Sequence, residues 1–104
     1  MIMNTDELKQ RVQKEGRVGG IEIEGRISKK GVPRDVTTRS GAAMVVVDAE
    51  LTDDSGSVAL SLWNKEIDQF NVNDVVRISN GYATSFRGTA QLSAGRLGTI
   101  TLKP

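Results

Sequence analysis

From residue 18 onward the apolar residues of this chain recur at every second position, in short runs broken by glycine or turn residues. That period belongs to half-buried β-strands and not to helices. Ile21, Ile23 and Ile27 alternate with Glu22, Glu24, Arg26 and Ser28, and Gly25 takes an inward position. A glycine inside a strand marks a bulge or a bend. Val45, Val47, Ala49 and Leu51 share one face of a second run, from Met44 to Leu51. Val58, Leu60 and Leu62 share one face of a third, from Ser57 to Trp63. Asp53-Asp54-Ser55-Gly56 between them is turn chemistry, which makes the two a hairpin. Val75 to Tyr82 is a fourth run. Thr89 to Ala94 and Thr99 to Leu102 form a fifth, interrupted by Gly95-Arg96-Leu97-Gly98. Arg87-Gly88 reads as a hairpin tip.

Two segments carry the helical period instead. Residues 4–15 read as a short helix capped by Asn4, with Glu7 as the capping-box partner, Leu8 and Val12 on one face and Gly16 as the stop. Its apolar stripe is thin, which predicts a helix at the edge of the domain. Asn64 to Phe70 reads as a second helix, capped by Asn64 and burying Ile67 and Phe70. Residues 29–41 are polar, basic and bounded by glycines, the composition of a long loop. At 104 residues the chain is one domain's worth. The expected division is a helical segment over 1–17 followed by a barrel domain over 18–104. Short twisted strands tend to close on themselves and so remove their edges. The expectation is a mostly all-β fold: a five-stranded Greek-key barrel of the OB-fold type, with a short helix between strands three and four and a short N-terminal helix. An SH3-like barrel fits the same pattern.

Composition removes whole classes of chemistry. The chain has no Cys and no His, so disulfides, the usual structural zinc sites and histidine-based catalysis are excluded. No P-loop is present, and no G-x-G-x-x-G stands between a strand and a helix. The acids Asp48, Glu50, Asp53 and Asp54 do not have EF-hand spacing and read as a solvated hairpin. No apolar run is long enough to span a membrane, and residues 1–7 lack the features of a signal peptide. The expectation is a soluble intracellular protein without cofactor, metal or catalytic constellation.

The net charge of +1 conceals segregation. Residues 25–45 carry Arg26, Lys29, Lys30, Arg34 and Arg39 against Asp35 alone. Residues 46–75 carry seven acids against Lys65. Residues 76–104 carry Arg77, Arg87, Arg96 and Lys103 with no acid. Two basic segments can give one positive face to a nearly neutral protein.

Aromatics are only 4% of the chain, so each position is informative. Parity puts Trp63 opposite the core face of its strand, beside Ser57, Ala59 and Ser61, where a large ring among small neighbours forms a shelf. The alternative is that Trp63 ends the strand and tucks under the following helix. Alternation from Val76 and Ile78 would turn Tyr82 inward, whereas a one-residue bulge at Asn80-Gly81 would turn it outward with Phe86. Parity leaves both open. Phe86, next to a hairpin tip, has little core to reach; Phe70 reads as a helix anchor. Outward aromatics between two basic loops suit single-stranded nucleic acid, because bases stack on the rings while cations follow the phosphates.

Three segments carry a family resemblance. Thr52-Asp53-Asp54-Ser55-Gly56-Ser57-Val58-Ala59-Leu60-Ser61-Leu62-Trp63, Asn73-Asp74-Val75-Val76-Arg77-Ile78-Ser79-Asn80-Gly81-Tyr82-Ala83 and Phe86-Arg87-Gly88-Thr89-Ala90-Gln91-Leu92-Ser93-Ala94-Gly95-Arg96 resemble, in order and spacing, the motifs of archaeal replication protein A and its single-OB relatives. The resemblance covers residues 18 to about 100. It implies an OB-fold that binds single-stranded DNA without catalysis, in replication, repair or recombination, on the nucleoid in the cytoplasm. It implies base stacking by Trp63, Tyr82 and Phe86, and hence the bulge that turns Tyr82 outward. It implies backbone contacts by Arg87 and Arg96; the basic loop adds Lys29, Lys30, Arg34 and Arg39. Some relatives carry a further aromatic where Ser93 stands. RNA, or a protein partner within a replication complex, is the alternative occupant.

Overall fold

The computed structural model describes residues 2–95 and 97–103. Its elements are α1 (Thr5–Glu15), β1 (Arg17–Lys30), β2 (Arg34–Thr37), β3 (Ala43–Asp53), β4 (Gly56–Trp63), α2 (Glu66–Gln69), β5 (Val75–Phe86), β6 (Thr89–Ser93) and β7 (Thr99–Leu102). Strands β1, β3, β4, β6 and β5 are hydrogen-bonded in that order, and β5 returns to β1 and closes the barrel. All of these pairings are antiparallel except β4 with β6. This is the five-stranded OB circuit expected from the alternation, with the fifth strand split into β6 and β7 at the glycine-bounded interruption.

Strand β1 serves two neighbours. Its first half pairs with β5, from Arg17↔Thr84 to Arg26↔Val75, and its last residues pair with β3. A strand that changes partners must bend, and the bend brings Gly25 against β3. A Cβ at Gly25 would lie 2.9 Å from Leu51 Cγ and from the Thr52 carbonyl oxygen, so the close approach admits only glycine.

The interior is aliphatic. Ile21, Ile23, Ile27, Val47, Leu51, Leu60, Leu62, Val76, Ile78 and Leu92 are all fully buried. Phe70 joins them as an expected core residue, but it follows α2 in extended backbone and is not part of the helix.

Three local expectations need correction. The segment 29–41 is not all loop: Arg34–Thr37 pairs with β3 from Arg34↔Val46 to Thr37↔Ala43, as a hairpin flap standing off the barrel. Its side chains bury little, so no alternation betrayed it. Helix α1 does not lie at the edge. Leu8 and Val12 are buried in the same cluster as the barrel core, each burial stabilising by about 1.5–3 kcal/mol. Thr5 ties the start of α1 to the β3–β4 turn, donating from its N–H to Asp53 Oδ2 at 2.8 Å and from its hydroxyl to Asp53 Oδ1 at 2.8 Å. Asn4 caps α1 as expected, accepting from the Glu7 N–H at 2.8 Å. Asn64, by contrast, is not the cap of α2. It has φ +51, and its side-chain oxygen accepts from the Val45 N–H at 3.0 Å, which clamps the end of β4 to β3. No helix among the described residues is long and apolar enough to cross a membrane.

Candidate nucleic-acid interface

Strand β4 alternates as its sequence dictates: Val58, Leu60 and Leu62 are buried, while Ser57, Ala59, Ser61 and Trp63 are half-buried on the outer face. Trp63 lies opposite Val46, which is covered although it faces outward. The indole therefore rests in an apolar setting at the top of the sheet.

The orientation of Tyr82 comes from a bulge. Between Ile21↔Gly81 and Ile23↔Ile78, β1 advances two residues and β5 three. The extra residue falls at Ser79-Asn80, and Asn80 takes φ +53. Inward positions pass from Val76 and Ile78 to Gly81 and Ala83, so Tyr82, Thr84 and Phe86 turn outward. Glu22 Oε2 accepts from the Asn80 N–H at 2.6 Å and ion-pairs with Arg77 at 3.3 Å. The Asn80 N–H chiefly, with Arg77 and Ser79, outweighs burial and holds the Glu22 carboxyl below the ordinary glutamate range.

Registered pairs carry the face across four strands. Asp48, Ser61, Ser93 and Tyr82 stand in one row through Asp48↔Ser61, Ser61↔Ser93 and Ser93↔Tyr82. Small side chains between the rings leave a trough. One part, of about 540 Å³, runs between Met44, Trp63, Glu66, Tyr82 and Gly95. A second, of about 360 Å³, runs between Arg34, Ser61, Trp63, Tyr82, Phe86 and Gln91. Trp63, Tyr82 and Ser93 border both, so the trough is continuous. Tyr82 is 43% and Phe86 58% exposed, which leaves their rings available to a flat partner.

The expected cations divide. Arg34 borders the trough, 3.3 Å from Asp48 in a solvent-exposed ion pair. Such a pair contributes little, about 0–1 kcal/mol, so a phosphate can compete for the guanidinium. Arg87, at φ +52 on the β5–β6 turn, stands 5.3 Å over the Phe86 ring centroid and extends the stacking surface. Arg39 is exposed at the β2–β3 tip, beside Thr38 on the trough wall. Lys29 is exposed on β1 opposite Glu50 and does not line the trough. Lys30 is engaged away from the trough: its ammonium donates to the carbonyl oxygens of Ile67 and, at 3.0 Å, Phe70. It serves the end of α2, where free carbonyls attract a cation. Arg96 lies outside the described residues. Arg77 and Lys103, counted in the second basic segment, are spent on Glu22 and Glu24 of β1.

The structure adds an acid that the pattern did not suggest. Glu66 accepts from the Trp63 N–H at 2.9 Å and borders the trough. Burial raises its carboxyl above the ordinary range despite that bond. Its position three residues after Trp63, at a strand-to-helix corner, was the available signal. Among the described residues no cluster of acids is placed to hold a metal ion.

Residues 21–102 match the family described as single-stranded DNA binding protein Ssb-like, OB fold. The chain belongs to that family. It is 31% identical over 75 residues to the single-stranded DNA binding protein Ssb of Saccharolobus solfataricus, covering 72% of this chain and 50% of that one. It is 32% identical over 77 residues to replication factor A of Methanothermobacter thermautotrophicus, covering 73% of this chain and 10% of that one. The chain thus spans half or less of the length of these relatives. Its fold is like that of the OB domain of Ta0387 from Thermoplasma acidophilum, with TM-score 0.77, 20% identity, and coverage of 98% and 86% of the two chains.

Proposed function

We propose that this chain binds single-stranded DNA with little sequence preference and without catalysing a reaction. The carrying observation is the continuous trough bordered by Trp63, Tyr82 and Phe86, with small polar residues between the rings. Rings spaced by small side chains accept the faces of successive bases, each stack contributing about 1–3 kcal/mol whatever the base. Duplex DNA hides those faces. Arg34, Arg39 and Arg87 stand where phosphates would pass, and Arg96 joins them by its place in the family motif. Membership of the Ssb-like family supports the same occupant. The corresponding role is protection of exposed strands on the nucleoid during replication, repair or recombination, alongside proteins of those processes.

The test is titration with oligo-dT, read through the fluorescence of the sole tryptophan, Trp63. Saturable quenching is expected, with duplex of equal length much weaker. Affinity should fall with salt at a slope of about −0.7 per phosphate neutralised. No quenching, or equal affinity for duplex, would overturn the reading; tighter binding of oligo-rU would make RNA the occupant.

A further inference from the structure

Beyond Tyr82, on the side away from Trp63, the barrel surface carries a second opening of about 670 Å³, bordered by Gly19, Gly20, Gly81, Tyr82 and Leu97 among others. Tyr82 borders both this opening and the trough.

Its floor contains a glycine that the fold does not require. From Val18↔Ala83 to Ile21↔Gly81 β1 advances three residues and β5 two, and Gly20 takes φ +61 at this second bulge, where glycine is expected. Gly19 is different. It lies outside the positive-φ region, and a Cβ there would meet no heavy atom within 4 Å. Neither backbone nor packing calls for glycine at 19, and glycine weakens a strand interior. What its missing side chain does is leave space beside Tyr82.

A cation stands two residues before Gly19 on the same strand, though it does not border the opening itself. Arg17 is registered opposite Thr84, and directly paired residues project to the same sheet face. Thr84 borders the trough with Tyr82 and Phe86. The Gly16 carbonyl accepts from the Ser85 N–H at 3.1 Å, which fastens the start of β1 to the β5–β6 hairpin. Arg17 is exposed and has no carboxylate partner among the described residues. Arg77 and Lys103, farther along the barrel, are both paired. Leu97, 86% exposed, borders the same opening as Tyr82 and adds an apolar side chain to it.

We propose that the single-strand path continues past Tyr82 onto β1, where the space over Gly19 takes one further nucleotide: the base lies between Tyr82 and Leu97, and Arg17 holds its phosphate. The inference rests on the binding reading above and adds a subsite on a strand outside the family motifs.

The test compares wild type, Gly19→Val, Gly19→Ala and Arg17→Gln across oligo-dT of increasing length, with melting midpoints for each. A β-branched residue suits an exposed strand position, so Gly19→Val should keep the fold while filling the space. At lengths that only span Trp63 to Phe86, all four proteins should bind alike. At longer lengths wild type should gain affinity, and Gly19→Val and Arg17→Gln should forgo about tenfold of it, the worth of one modest base stack. Gly19→Ala should keep most of the gain. Arg17→Gln should also reduce the salt slope for the longer strand by about 0.7. Variants that match wild type at every length overturn the subsite. Should Gly19→Val melt early, Arg17→Gln decides alone: wild-type affinity and slope overturn the proposal. If wild type binds no oligomer at all, the single-strand reading itself has failed and the subsite falls with it.

Discussion

The Glu22 carboxylate on β1 accepts the Asn80 N–H at 2.6 Å, and this bond secures the bulge that brings Tyr82 to the outer face. The two residues are far apart in sequence, and neither borders the aromatic trough. Glu22→Ala should therefore weaken oligo-dT binding by less than removing the ring does, acting through Tyr82. A double-mutant cycle measures this: in a Tyr82→Ala background the Glu22 change should have no further effect on affinity. Additive losses would mean Glu22 acts some other way.

Gly95 stands against Tyr82. It has φ +69, and a Cβ there would lie 2.5 Å from Tyr82 Cε1 and 2.7 Å from Cδ1. Gly95→Ala should cost roughly 1–2 kcal/mol of stability from the left-handed backbone alone. It should also displace the ring from its seat and lower affinity for single strands. A denaturant midpoint and an oligo-dT titration read the two effects separately.

Trp63 and Phe70 should part company on truncation. Phe70 is 4% exposed in the core, so Phe70→Ala should cost about 3–5 kcal/mol of stability and affect binding only through the folded fraction. Trp63→Ala should cost clearly less stability but about 1–3 kcal/mol of binding, as should Phe86→Ala. Trp63→Ala has no tryptophan to report binding, so fluorescence anisotropy of a labelled oligomer is the measurement. Loss of folding with normal binding by the folded fraction would place Trp63 in the core.

Glu66 supplies a pH dependence. Burial raises its carboxyl, so the stability this group contributes is present below its unfolded value and is lost as pH rises through the folded one. Its anion also opposes incoming phosphates. Affinity should rise as pH is lowered through the raised folded value of Glu66, and Glu66→Gln should flatten that rise. The chain has no histidine whose titration would overlay this effect. Glu22, Glu24 and Asp53 are shifted the other way. Their contribution is present above the unfolded values and is lost as pH falls through the lowered folded ones, the opposite sign to Glu66.

The barrel and its inward faces were legible in the sequence because strand burial is local. Alternation over Ser57–Trp63 placed Leu60 and Leu62 inward and Trp63 outward, and the tertiary structure agrees residue by residue. Asn4 as a cap was readable because its partner lies within a turn; Phe70 is buried as expected, although it follows α2 in extended backbone and not on a helical face. Tyr82 was not readable from alternation, because a single extra residue at Asn80 inverts every later position on β5. Whether that residue is extruded depends on a carboxylate contributed by β1. Charges behaved likewise. Lys30, Arg77 and Lys103 belonged to basic segments in the linear count, yet the folded chain assigns them to the carbonyls of α2 and the acids of β1. Arg17, counted with the helical segment, stands in register with Thr84 on the trough face. Linear charge counts record which ions exist; strand register between distant segments decides which are already neutralised and which remain to meet a phosphate.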